Sequence, residues 1–243
     1  MVRATSVILS LCLALSSSAF EIPSDCLQIV VGSTDSWKSS ILTISVYQRS
    51  EGKPWLKTAG PWKGRCGKNG LAWGRGLHPV PKNLPAKIEG DWRSPAGVFA
   101  LGGVWGYEKS VPRMPGMAYR QISSRDLWVE DPASEHYNRH LILDHEPRTL
   151  WEKKAQMRQN DHAHSLKLFI AHNIDPAPLS GAGSSIFFHI WRNNGSRATA
   201  GCSTMNEIHL RALIATLDPG KNPVYVLLPF EDYQRLKPGW SLP

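Results

Sequence analysis

One stretch near the C-terminal end constrains the fold more than any other part of the chain. Residues 185–190, Ser-Ile-Phe-Phe-His-Ile, are apolar and aromatic and have the length of a strand. The polar run 192–197 that follows is typical of a loop. Gly201 and Cys202 come next, directly before a predicted helix. A strand, a loop and a helix in this order bring a histidine and a cysteine to the ends of neighbouring elements.

The helix is predicted from its cap and its apolar periodicity. Thr204, followed three residues later by Glu207, forms a capping-box pattern with Thr204 as the N-cap. Apolar residues recur behind it at helical spacing: Leu210, Leu213, Ile214 and Leu217. The Asp-Pro-Gly run 218–220 ends the pattern. Cys202 is therefore expected just before a helix N-terminus, where the helix dipole favours a thiolate.

A cysteine with a histidine in hydrogen-bond reach is the minimum apparatus for acyl transfer. His189, at the end of the predicted strand, would accept the proton of the Cys202 thiol. The backbone N–H groups of Gly201 and Cys202 are the expected donors to the oxyanion. The alternative is a small buried cysteine and a structural histidine, and spacing alone favours that alternative.

The segments around this pair resemble a known family. Phe188-His189 followed by Thr199-Ala200-Gly201-Cys202 is similar to the active-site signature of YkuD-type L,D-transpeptidases: a histidine, a variable loop and Ser/Thr-x-Gly-Cys. Three further segments resemble the family in the same order, at residues 87–99, 128–138 and 183–189. Within the signature, this chain has Ala200 and Thr204 where many members carry His and Arg.

The resemblance implies an exported acyltransferase that works through a thioester. Cys202 would be the nucleophile and His189 the general base, with the backbone carbonyl of Ile190 orienting the imidazole. The family's donor is a peptidoglycan stem tetrapeptide, attacked at the L-centre of its diamino acid with release of terminal D-Ala. An amine from a second stem then gives a crosslink.

Two alternatives to this reaction stay open. Water in place of the amine would make the chain an L,D-carboxypeptidase or endopeptidase. A non-catalytic peptidoglycan-binding module would use the same cleft. Arg192, Arg197 and Thr199 are expected to contact substrate, although the two arginines could equally be solvated loop residues. The expected reaction requires no cofactor and no metal.

The N-terminal segment is predicted to be a secretory signal peptide spanning residues 1–19. Arg3 supplies the positive charge, residues 7–15 the short apolar region and residues 17–19 the small-residue cleavage site. The apolar region is shorter than the roughly 20 residues that span a membrane. Residues 20–243 are then the mature catalytic domain, exported to the periplasm or cell envelope without stable membrane insertion.

The remaining cysteines suggest a disulfide. Cys26, Cys66 and Cys202 would meet an oxidising compartment, so a Cys26–Cys66 disulfide is expected and Cys202 stays free. The alternative is that Cys26 and Cys66 are merely buried.

The formal net charge of +8 is compatible with several anionic partners. The sequence contains no recognisable nucleic-acid-binding motif, and an exported basic protein fits an anionic envelope polymer. A charge that serves solubility alone is an equal alternative. The sequence does not indicate an oligomeric state.

Short strands separated by Gly- and Pro-rich turns predict a mainly β fold with few helices, a single β-sandwich or barrel domain. The family resemblance implies the same architecture. Strands are predicted at 27–31, 41–48, 98–101, 166–171, 185–190 and 224–228, a hairpin at 55–62, a loop at 65–85 and a second helix at 147–159.

Two acidic or histidine-rich segments invite a metal-binding interpretation. Glu89 and Asp91 flank a glycine, and we interpret them as turn residues that support the site. The Asp-His-Ala-His run 161–164 lacks a partner motif for zinc, so its histidines are expected at the surface.

Overall fold

A computed structural model describes residues 20–243, and the predicted signal peptide lies outside the described residues. The strands are β1 Gln28–Thr34, β2 Ile41–Gln48, β3 Leu56–Arg65, β4 Leu71–Trp73, β5 Ser94–Gly106, β6 Tyr119–Gln121, β7 Asp126–Trp128, β8 His140–Ile142, β9 Leu166–Ile170, β10 Phe187–Ile190, β11 Ser203–Met205 and β12 Val224–Pro229. The α-helices are α1 Leu150–Lys154, α2 Glu207–Thr216 and α3 Phe230–Trp240.

Eight strands close into a barrel-like sheet, which confirms the predicted mainly β class. The strand order is β12-β1-β2-β3-β11-β10-β9-β5, and β5 also pairs with β12. β4 and β6 extend the sheet from β5, and β7 with β8 forms a separate two-stranded sheet. Closure leaves few open edges in the main sheet.

The core lies between the barrel strands and α2. All six residues of β12 are buried, as expected for a strand with protein on both faces. The predicted apolar stripe of α2 is confirmed, because its four members are almost inaccessible to solvent: Leu210, Leu213, Ile214 and Leu217.

The start of α2 was predicted wrongly. Residues 203–205 form β11, which pairs parallel to β10 and antiparallel to β3. The helix begins at Glu207, and Asn206 is its N-cap, accepting a hydrogen bond from the Ile208 N–H at 2.9 Å. β10 and β3 both pair with the backbone around Thr204, and this strand pairing outweighs the local capping pattern. Cys202 therefore precedes a strand and not the helix N-terminus that the sequence predicted.

Five other elements differ from expectation. The second helix is short, with Thr149 as N-cap of a capping box and only Leu150–Lys154 helical. Its continuation fails because the Met157 N–H donates to Asp126 O instead. The strand predicted at 98–101 is the thirteen-residue β5, the 65–85 loop contains β4, and the hairpin at 55–62 is the long strand β3. α3, for which no helix was predicted, packs beside β12 and β1.

The predicted disulfide is not formed. Cys26 and Cys66 are buried free thiols that hydrogen-bond to the carbonyls of Gln28 and Ser39, at 3.4 and 3.5 Å. Burial raises the pKa of both thiols, that of Cys66 to about 12. The alternative of two merely buried cysteines describes this structure.

Within residues 20–243, no helix combines the length and apolarity that crossing a membrane requires.

Candidate active site

A cleft of about 510 Å³ lies where β9, β10 and β11 meet the segments that precede β5 and β11. Histidine, cysteine, lysine and glutamate side chains face it: Lys87, Glu130, His164, Lys167, His189 and Cys202. Concave sites with convergent polar groups are where binding and catalysis usually occur.

Strand pairing brings the predicted Cys–His pair into this cleft. β10 and β11 run parallel with Phe188 beside Ser203 and His189 beside Thr204. Cys202 directly precedes β11 and lies beside the start of β10, two residues before His189 in the register of this pairing, and both side chains line the cleft. One β-ladder thus brings two residues that lie thirteen positions apart in the sequence into the same cleft.

The Cys202 thiol is held against an apolar cluster. It packs against the cluster formed by Ile122, Trp128, Met157 and Phe187, and donates to the Ser185 carbonyl at 3.4 Å. Burial raises the thiol's pKa to about 11, although a backbone hydrogen bond and the Lys167 charge act in the opposite direction. The resting cysteine is a neutral thiol.

His189 is positioned as a neutral imidazole. Its Nδ1 lies 2.9 Å from the Ile190 carbonyl oxygen, the contact expected from the sequence, so Nδ1–H donates and Nε2 carries the lone pair. Burial lowers the pKa of His189 to about 3. Among the described residues, none hydrogen-bonds to Nε2, and the Cys202 thiol contacts Ser185 instead. The Cys202 thiol and the His189 imidazole are therefore not hydrogen-bonded to each other in this structure.

The loop before Cys202 is shaped by hydroxyl groups. The Thr199 hydroxyl donates to the Cys202 carbonyl at 2.6 Å and accepts from the Gly201 N–H at 3.1 Å. The buried Ser94 hydroxyl donates to the Gly201 carbonyl and accepts from the Gly67 N–H at 2.9 Å. A Cβ on Gly201 would lie 3.1 Å from Ile186 and 3.2 Å from the Arg93 carbonyl, so the position favours glycine.

These contacts involve two residues with expected roles, which stay predictions. The Gly201 N–H donates to the Thr199 hydroxyl, and that hydroxyl donates to the Cys202 carbonyl within the loop. In residues 20–243, no residue accepts a hydrogen bond from the Cys202 N–H. That group is the better candidate for an oxyanion donor.

The two loop arginines differ. Arg192 pairs with Asp161 on the neighbouring segment. Arg197 lines the cleft, is exposed, and its guanidinium has no hydrogen-bond or ion-pair partner within the described range. Of the two, Arg197 is available to a substrate carboxylate.

His164 was placed at the surface by the sequence, and this was wrong. Its ring stacks on that of His189, with centroids 4.7 Å apart and planes inclined by 26°. The Asp161 carboxylate accepts from His164 Nδ1 at 2.7 Å. Burial lowers the pKa of His164 to about 4. The adjacent His162 does fit the expectation, since its side chain is 69% exposed. The His-x-His alternation of residues 162–164 was the sequence signal that could have indicated a buried His164.

Glu89 and Asp91 have structural partners. Glu89 accepts hydrogen bonds from Tyr137 and Ser184, and Asp91 accepts from the backbone N–H groups of Ile88 and Arg93. Within the described residues, no three His, Cys, Asp or Glu side chains are grouped to hold a metal ion.

Comparison with known proteins places the chain in a family. Residues 62–226, more than half of the chain, match the family model described as YkuD, L,D-transpeptidase catalytic domain. No curated protein matches the chain.

Proposed function

Because the chain belongs to the YkuD L,D-transpeptidase family, we propose that it is an exported cysteine acyltransferase that acts on peptidoglycan stem peptides. The observation that carries the proposal is the shared cleft of Cys202 and His189, with the imidazole oriented by the Ile190 carbonyl. A nucleophile, a base and an orienting group in one cleft are the parts that acyl transfer requires.

Acylation follows from this arrangement. The Cys202 sulfur attacks the carbonyl at the L-centre of the diamino acid while its proton passes to His189 Nε2. The Cys202 N–H donates to the oxygen that becomes negative in the tetrahedral intermediate. Collapse breaks the amide bond, His189 returns the proton to the leaving amine, and D-Ala departs. The product is a thioester on Cys202.

Deacylation reverses these roles. The amine of a second stem attacks the thioester, its proton passes through His189 to the sulfur, and a crosslink forms. Water attacking the same thioester would give a shortened stem instead. Exposed loop residues border the cleft, so Arg197 is placed where it can hold an incoming stem by its carboxylate.

Intact-mass spectrometry with a disaccharide-tetrapeptide tests the proposal. We expect a covalent adduct on Cys202 with loss of D-Ala, and no adduct on Cys202→Ser. Cys26→Ser is the matched control, because Cys26 is also a buried free thiol and does not line the cleft. Crosslinked dimer among the products indicates transpeptidation, and tripeptide alone indicates hydrolysis. A folded protein that forms neither adduct nor product would be a binding module.

Export is a separate proposal that rests on residues 1–19. Expression of the full chain with N-terminal sequencing should give a mature protein that begins directly after the small residues 17–19. A chain that keeps its initiator methionine in the cytoplasmic fraction would contradict export.

A further inference from the structure

Lys167 is a buried cation that the expectations from sequence did not single out. It lies on β9, directly opposite His189 in the antiparallel β9–β10 ladder. Cross-strand partners project from the same face of a sheet, so both side chains enter the cleft. Lys167 is only 5% exposed. Lysine is rarely buried to this extent unless its charge is paired.

The ammonium group has only uncharged protein partners. Nζ donates to the Met157 carbonyl at 2.9 Å and lies 5.7 Å from the centre of the Phe187 ring. Across residues 20–243, no carboxylate is within ion-pairing distance of it. Met157 and Phe187 belong to the apolar cluster on which Cys202 packs. The unpaired positive charge and the thiol therefore share one poorly solvated wall of the cleft.

The second buried lysine of the cleft differs from Lys167 because it has a charged partner. Lys87 forms an ion pair with Asp91 at 2.7 Å and also donates to the Ile88 carbonyl. Its charge is already compensated within the protein. A buried charge without an opposite partner is costly in free energy. A negative charge that forms beside Lys167 would therefore be stabilised and would offset that cost.

We infer that Lys167 is the counter-charge that stabilises the Cys202 thiolate during acyl transfer. The inference rests on the proposed role of Cys202 as nucleophile. The negative charge appears on sulfur when the thiol proton leaves and again when the thioester collapses. Lys167 acts on the sulfur through its charge and takes no proton from it, so His189 remains the base.

The titration of the neighbouring groups is consistent with this role. Burial lowers the pKa of Lys167 to about 8, while the charges of Cys202, Glu130 and Asp161 oppose that shift, so the ammonium is still charged at neutral pH. His164 and His189 also face the cleft and are neutral there, because burial lowers the pKa of both. Lys167 is thus a predominantly charged cation on the thiol wall at pH 7.

Alkylation of Cys202 by iodoacetamide measures thiolate stability without any substrate. We expect Lys167→Met to slow the alkylation of Cys202 at pH 7 by about tenfold or more, because a neighbouring opposite charge typically shifts a pKa by about 1–3 units. Lys167→Arg should restore most of the rate. Lys57→Met, which removes an exposed lysine from β3, is the matched control and should alkylate like the wild type.

Thermal unfolding distinguishes this role from a structural one. Replacing an unpaired buried charge with an apolar side chain is often neutral or stabilising, so Lys167→Met should melt at or above the wild-type temperature while reacting more slowly. Lys167→Gln, which keeps a donor for the Met157 carbonyl, is the second neutral variant if Lys167→Met fails to fold.

Wild-type alkylation rates in both neutral variants would overturn the inference. Unchanged alkylation together with a raised KM for the stem peptide would assign Lys167 to a substrate carboxylate instead. A wild-type Cys202 that alkylates normally but forms no acyl adduct would contradict the proposed function while leaving the thiolate role of Lys167 in place.

Discussion

At the scale of single residues, the site depends on two hydroxyl groups that hold the backbone before Cys202. Ser94 is fully buried and joins the Gly67 N–H to the Gly201 carbonyl. We expect Ser94→Ala to lower the free energy of unfolding by about 1–3 kcal/mol, because both backbone groups lose their partner in a dry environment. Cys202 alkylation should also change, since the loop that presents the thiol loosens. Urea denaturation and iodoacetamide kinetics measure the two effects.

Ser196→Ala is the control for this prediction, because Ser196 is exposed in the same loop region and its side chain makes no described hydrogen bond. Equal stability of the two variants would show that the Ser94 hydroxyl does not hold the loop.

At the scale of elements, the position of the helix start decides what surrounds the cysteine. Asn206 caps α2, and Thr204 lies within β11. Asn206→Ala should therefore reduce the free energy of unfolding by about 1 kcal/mol, because the first turn of α2 loses a side-chain acceptor for its N–H groups. Asn206→Asp keeps the acceptor and should retain the stability. If Asn206→Ala proves neutral in chemical denaturation, the helix begins elsewhere and the strand assignment of 203–205 loses support.

At the scale of the whole molecule, buried neutral histidines should make the fold acid-sensitive. His78 and His172 each accept a backbone N–H at Nδ1, from Val98 at 3.0 Å and Arg75 at 3.2 Å, which requires an unprotonated nitrogen. Burial lowers their pKa values from 6.5 to about 4 and about 3. Below pH 6.5 the unfolded chain binds protons that the folded chain excludes, so stability falls as the pH drops towards 3.

Melting temperatures between pH 8 and pH 4 test this dependence. We expect little change above pH 6.5 and a progressive fall below it. His136→Gln, at an exposed histidine whose only carboxylate neighbour in the described range is the exposed Glu135 at 3.8 Å, should leave the profile nearly unchanged. A melting temperature that stays constant down to pH 4 would contradict the burial of these imidazoles in neutral form.

What the sequence alone determined about this protein is local. Apolar runs marked β2 and β12, and helical periodicity marked the buried face of α2, because burial of one face leaves a repeat in the residues themselves. The strand–loop–Gly-Cys order made a Cys–His pair one of two interpretations, and the family resemblance favoured that pair. Each of these signals lies within a short window of the chain.

The tertiary structure decided the rest through contacts between distant segments. Pairing of β9 with β10 sets Lys167 opposite His189, and the segment before β9 stacks His164 on the same imidazole. Because β11 pairs with both β3 and β10, Thr204 lies in a strand and does not cap the helix as predicted. A β-ladder is formed by backbone groups, which carry no sequence pattern for their partner, so neither the register nor the side chains it brings together could be read from the chain.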